Sequence, residues 1–195
     1  LKDVNITITD RLHSGAIACD LYGDIDNCKA TGTININNTT FNGTASNNYD
    51  GITHGGLVGS LYDAEATNCT NDIDITVTSL VAPEKSLKGT VGGVIGSVNG
   101  TEGSTLSGLI NDGHITYVGK TQIANVYISG IVGKNADTSG QTDIKSINSC
   151  TNNGNLSTSE DSESAASILL CGITRCDQHT KVLYNIFANM SRRSL

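Results

Sequence analysis

The groups in this 195-residue chain that could do chemistry are its six cysteines, four histidines and a scatter of acidic pairs, and their spacing decides what chemistry is open to them. Cys28, Cys69 and Cys150 share one place in a recurring pattern. A zinc site brings its ligands together as Cys-x(2–4)-Cys or His-x(3–5)-His, and neither spacing surrounds these three. Read as small apolar side chains they point into a core. In-register parallel strands set their Cβ atoms near the upper limit for a disulfide, so Cys28 and Cys69 are expected as free thiols. Cys171 and Cys176 stand apart, and either a disulfide closing a small loop or burial without bonding fits them. His13 and His54 each precede a motif glycine by two residues in successive units. They are expected one above the other as solvent-facing turn residues, with a metal pair as the alternative. His114 and His179 are isolated. The pairs Asp24/Asp26, Asp63/Glu65 and Asp72/Asp74 raise calcium binding or polysaccharide lysis. The repeat-toxin pattern Gly-Gly-x-Gly-x-Asp is absent, however, and Arg11, Arg175, Arg192 and Arg193 all lie near the termini, away from these carboxylates. The chain therefore reads as non-catalytic, with no cofactor and no metal.

What positions these residues is a repeat. Gly55-Gly56-Leu57-Val58-Gly59 returns as Gly92-Gly93-Val94-Ile95-Gly96 and as Ser129-Gly130-Ile131-Val132-Gly133. Ser14 to Ala18 and Cys171 to Arg175 are worn copies. With Gly15, Gly56, Gly93, Gly130 and Gly172 taken as equivalent, the spacings are 41, 37, 37 and 42 residues, a period that means stacked units. After each glycine motif comes Cys-x-Asn-x-Gly-x-aliphatic, complete at Cys150 to Leu156, with Asn71, Asn111 and Asn152 at the third place and Leu109 replacing one cysteine. Phe187-Ala188-Asn189 is a degenerate further copy. The asparagines suit amide ladders along a pile of like strands, and Asn152→Ala is expected to loosen the stack.

Within each unit the hydrophobic period is two: Ile73, Ile75 and Val77 alternate with Asp74, Thr76 and Thr78. Three short strands per unit follow: the glycine motif, the segment ending at the cysteine, and the run after the Asn-x-Gly turn. The expected fold is all-β, a right-handed parallel β-helix (β-solenoid) of about five coils over residues 1–179. Its repeats fall near 12–53, 54–90, 91–127, 128–169 and 170–190. Two shorter coils per period is the competing architecture. Val182, Leu183, Ile186, Phe187 and Met190 fall at helical spacing, so 180–195 is either a capping helix or a degenerate coil.

Aromatics are 4% of the chain and Trp is absent, which predicts a thin core of Val, Ile and Leu. A formal charge of -7, with Arg192-Arg193 the one basic cluster, argues against nucleic acid or an anionic membrane as partner. No stretch reaches the roughly 20 apolar residues of a membrane span. The opening run Val4 to Thr9 already alternates, as in a fragment of something longer.

The run Gly56 to Gly59, its copies at Gly93 to Gly96 and Gly130 to Gly133, and the following Cys-x-Asn-x-Gly resemble the GLUG-type repeats (Gly, Leu, any hydrophobic, Gly) of large bacterial surface proteins. The similarity covers residues 12 to 160; Ala16-Ile17-Ala18 and Ile173-Thr174-Arg175 depart from it. Such repeats occur in adhesin-like chains of gut bacteria and beside the catalytic domain of some secreted zinc peptidases that cleave immunoglobulin A. The resemblance implies an extracellular or cell-surface location and a structural or adhesive role, with an accessory or catalytic β-helix of a glycan-active enzyme or surface peptidase as the alternative. Partners would be a host glycan or protein, or neighbouring domains of the same chain. Tyr22 and Tyr62 stand at nearly matching places in consecutive units and are the aromatic pair nominated for stacking on a sugar.

Overall fold

The computed structural model describes residues 1–9, 13–38, 52–80, 88–121, 125–135, 144–158, 167–174 and 187–188. Among them every regular element is a β-strand, and the strands pair in parallel. One circuit can be followed from Ile52 to Leu80. The strands Ile52–Gly55, Val58–Tyr62, Glu65–Thr67 and Thr70–Leu80 lie on four successive faces, numbered 1 to 4 here. Each strand pairs with its counterpart one repeat on, Thr53 with Thr90, Val58 with Ile95, Glu65 with Thr105 and Ile75 with Ile115, as one circuit per repeat requires.

Face 1 stacks His13–Ser14, Ile52–Gly55, Lys88–Gly92, Asn125–Ser129 and Ser167–Cys171; face 2 stacks Ala18–Leu21, Val58–Tyr62, Ile95–Asn99 and Val132–Asn135. Face 3 stacks Ile25–Asp26, Glu65–Thr67, Ser104–Ser107 and Ile144–Asn148. Face 4 begins with Val4–Ile8 and continues through Lys29–Asn38 and Thr70–Leu80 to Ile110–Asn111 with Ile115–Thr121, then Thr151–Asn152 with Leu156–Thr158.

The alternating sequence of face 4 explains its shape. Ile73, Ile75 and Val77 are buried while Asp72, Asp74 and Thr78 face solvent, the two-residue period of a half-buried strand. Because the register is strict, like side chains pile into columns: Ile6, Ile34, Ile75, Ile115 and Leu156 form one. Ile8, Ile36, Val77 and Tyr117 form the next. Apart from the buried Tyr117 and Tyr127, the described core is the thin, mainly aliphatic filling that the composition predicts.

The expectation of three strands per unit is corrected to four. The glycine motif is a bend, not one strand: face 1 ends at Gly55, face 2 starts at Val58, and both Leu57 and Val58 are buried. The chain bends again from face 3 into face 4 after Asn27, Asn68, Gly108 and Ser149, whose φ angles are 52, 52, 64 and 53°. This is the left-handed region, open to Gly and reached most readily otherwise by Asn.

The register also corrects the first copy. His13 pairs with Thr53 and Ser14 with His54, so Gly15 stands opposite Gly55, and Ala16, not Gly15, occupies the place of Gly56. At the other end Phe187–Ala188 is a strand paired with Thr151–Asn152, which puts Ala188, not Asn189, after Asn152 in its column. The rest of the proposed cap, with Cys176 and His179, lies outside the described residues.

Candidate functional site

The two halves of the repeat motif fit into one another. Asn71, Asn111 and Asn152 are buried in register, and each Nδ2 donates to the carbonyl two residues on, at 3.2, 2.9 and 3.0 Å. The Nδ2 of Asn71 donates also to Asn111 Oδ1, and that of Asn111 to Asn152 Oδ1, both at 2.8 Å. A Cβ on Gly56, Gly93 or Gly130 would overlap the amide of Asn71, Asn111 or Asn152 respectively. The glycines leave room for the ladder. In the first circuit both partners change together, with Ala16 in the glycine place and Ala30 opposite Asn71. Asn71 Oδ1, facing that alanine, is a buried acceptor with no hydrogen-bond partner among the described residues. Gly59, Gly96 and Gly133 form a second glycine column, where a Cβ would meet the face 1 backbone at Ser14, His54 and Val91.

Faces 1 and 2 enclose a polar seam. Residues seven apart meet across it: His13 Nδ1 and Asp20 Oδ1 at 2.7 Å, then Thr53 and Ser60 hydroxyls at 3.0 Å. The Ser60 hydroxyl reaches Ser97 at 3.0 Å, and Asn99 Nδ2 donates to Ser97 Oγ at 2.9 Å. His54 is corrected from a solvent-facing residue to a buried one, 1% exposed, with its Nδ1 2.6 Å from Ser14 Oγ. It does not stack on His13; its register partners are Ser14 and Val91. Burial first, and then the charge of nearby His13, hold its pKa down to about 3. A Ser–His pair suggests nucleophilic chemistry, but a base this weak takes a proton from a hydroxyl poorly near neutral pH. The seven-residue recurrence of polar pairs at 13/20, 53/60 and 90/97 is the sequence signal of this seam, and it emerges only with the first copy in the register His13 to Thr53.

The acidic pairs serve as staples between circuits. Asp24 Oδ1 accepts the Glu65 amide at 2.8 Å, and Asp26 accepts Asn68 Nδ2 at 3.2 Å and the Thr67 hydroxyl. Asp63 accepts the amides of Thr101, Glu102 and Gly103 at 3.1, 2.8 and 2.8 Å. Hydrogen bonds to the charged form keep both the Asp26 and Asp63 carboxyls below the ordinary carboxylate value, from the Thr67 side chain foremost at Asp26 and the Gly103 amide foremost at Asp63. Asp74 accepts the His114 amide at 2.8 Å, and Asp72 lies 3.7 Å from Lys29 Nζ. Among the described residues no group of three or more His, Cys, Asp or Glu side chains is arranged to hold a metal ion.

Cys28, Cys69, Leu109 and Cys150 form one column at the bend into face 4. Cys69 and Cys150 are buried, Cys28 partly so, and all three are free thiols. Burial raises the Cys69 and Cys150 pKa values.

The nominated tyrosine pair lies at the surface. Leu21 and Leu61 pair across face 2, so Tyr22 and Tyr62 emerge together at its end, their rings stacked with centroids 4.5 Å apart and planes 10° apart. Tyr22 is 76% exposed, and its outer ring face looks away from Tyr62. Stacking on one another replaces the side-by-side platform that two separate rings would make, and the outer face of Tyr22 ends the stack on its exposed side. Comparison with known protein families, with curated proteins and with solved structures finds no match for this chain.

Proposed function

We propose that this chain is a non-catalytic structural and adhesive segment of a secreted or cell-surface protein, a right-handed parallel β-helix of about five coils of the GLUG type. The observation that supports the reading best is the destination of its polar groups. Buried amides of Asn71, Asn111 and Asn152 and exposed carboxylates of Asp24, Asp26 and Asp63 tie one circuit to the next, as a rod that holds its shape requires. The right hand follows from the strong preference of parallel strands joined by crossovers. Contact is assigned to the outer face of Tyr22, which suits the apolar face of a sugar ring or an apolar side chain of a host protein. The remaining partners are neighbouring domains of the same protein.

The test is a glycan array, together with a panel of host extracellular proteins, probed with the wild-type chain and with Tyr22→Ala. Expected is binding to one glycan or protein class that falls at least about tenfold in the variant, at unchanged thermal midpoint. Binding that survives Tyr22→Ala removes the tyrosine from the reading, and absence of any binding reduces the role to that of a spacer.

A further inference from the structure

Two thiols sit on neighbouring circuits at the same bend. Cys28 and Cys69 each follow an asparagine at φ 52°, and the strands beginning just after them pair Lys29 with Thr70. The Thr70 amide donates to the Cys28 carbonyl at 2.9 Å. In-register neighbours of a parallel sheet are about 4.8 Å apart, within the roughly 4.4–6.8 Å between Cα atoms that a disulfide accepts. Both cysteines occupy the bend itself rather than the extended strand, so their side chains are not bound to the strictly parallel course that keeps strand neighbours apart. The register therefore sets Cys28 and Cys69 side by side on neighbouring circuits, each one residue before a paired strand position. Both sulfurs make long bonds to carbonyls, Cys69 to Thr67 at 3.1 Å and to Ile25 at 3.8 Å, and Cys28 to Asp26 at 3.5 Å. Cys150 is held off by Leu109 between it and Cys69.

Access differs between the two. Cys28 lines an open cavity of about 470 Å³ at the first circuit, shared with Leu1, Ala16, Ile17, Asn27 and Lys29. Cys69 is 1% exposed. Of the two, Cys28 is the one a small reagent can reach.

We propose that Cys28 and Cys69 are a dithiol oxidation site for low-molecular-weight disulfides, closing a covalent clamp between the first two circuits. The Cys28 thiolate attacks one sulfur of RS–SR, the RS–SR bond breaks, and one RS⁻ leaves with Cys28 Sγ bonded to the remaining SR. The Cys69 thiolate then attacks Cys28 Sγ and expels the second RS⁻. The two protons released by the cysteines end on two RSH. The protein dithiol is oxidised by two electrons, and the small disulfide is reduced by the same two. Because burial pushes the Cys69 thiol up, the second step quickens as pH rises.

The experiment incubates the full chain with oxidised glutathione at pH 8, quenches in acid, alkylates, and maps peptides without reduction. Expected is a cross-link between the Cys28 and Cys69 peptides in the wild type, a glutathione adduct accumulating on Cys28 in Cys69→Ser, and an unmodified Cys69 in Cys28→Ser. Hydrogen exchange on Val4–Ile8 and Lys29–Ile36 amides slows by roughly tenfold or more in the oxidised protein. A lasting glutathione adduct on wild-type Cys28, a cross-link from Cys28 to any other cysteine, or no reaction at Cys28 overturns the proposal.

Discussion

His54 is the residue whose environment differs most from its type. It stands in a face 1 column whose next members, Val91 and Ile128, are core residues, and it is neutral there because burial holds its pKa near 3. Unfolded, the same imidazole titrates near 6.5, so between these values the unfolded chain binds the extra proton. Its contribution is therefore complete above about pH 6.5 and is lost progressively as pH falls toward 3, with a limiting slope of about 1.4 kcal/mol per pH unit. Between pH 7 and pH 5 this group should cost the fold about 2 kcal/mol. Urea unfolding at the two pH values should show that loss in the wild type and a smaller one in His54→Val, whichever protein is the more stable at pH 7. Equal losses would place the proton uptake elsewhere. The Asp26 and Asp63 carboxyls, held low by their hydrogen bonds, add to the loss in the same direction once pH falls below the ordinary carboxylate value.

At the scale of the element, the glycine bend and the asparagine strand form one lock. The Gly56 and Asn71 places hold Gly and Asn in three successive circuits and Ala with Ala in the first, since a Cβ on the bend and an amide in the column compete for one space. Gly56→Ala should destabilise by about 1–3 kcal/mol through overpacking. Asn71→Ala removes donors to Asn111 Oδ1 and to the Ile73 carbonyl and should cost about 1–3 kcal/mol. The double variant should fall short of the sum by at least about 0.5 kcal/mol, because the second change relieves part of the overlap made by the first. Chemical denaturation of the four proteins measures the cycle, and strict additivity would mean that the Gly93 carbonyl alone excludes the Cβ. The Gly-x-x-Gly and Cys-x-Asn-x-Gly patterns were legible as separate motifs. Their interlock was not, because Gly56 and Asn71, Gly93 and Asn111, and Gly130 and Asn152, 15, 18 and 22 residues apart, meet only across a closed circuit.

For the whole molecule, stability should vary along the stack, since each circuit touches only its neighbours. Interior strands such as Ile95–Asn99 pair on both sides, whereas Ala18–Leu21 pairs on one. Native-state hydrogen exchange should therefore be slowest at Ser97 and Val98 and faster by orders of magnitude at Asp20 and Leu21 under reducing conditions. Uniform protection would indicate a single cooperative unit instead. The sequence by itself determined the repeat, its period, the parallel strand stack and the columns of Cys28, Cys69 and Cys150 and of Asn71, Asn111 and Asn152, because period-two patterning and recurrence are local properties of the chain. Only the tertiary structure decided the fourth face, the register of the first circuit and the burial of His54. A shift of one residue turns every side chain of a strand to its other face, and across repeats of unequal length that shift is fixed by packing between circuits rather than by spacing along the chain. The same packing sets Tyr22 on Tyr62 and places Cys28 beside Cys69 at the bend into face 4.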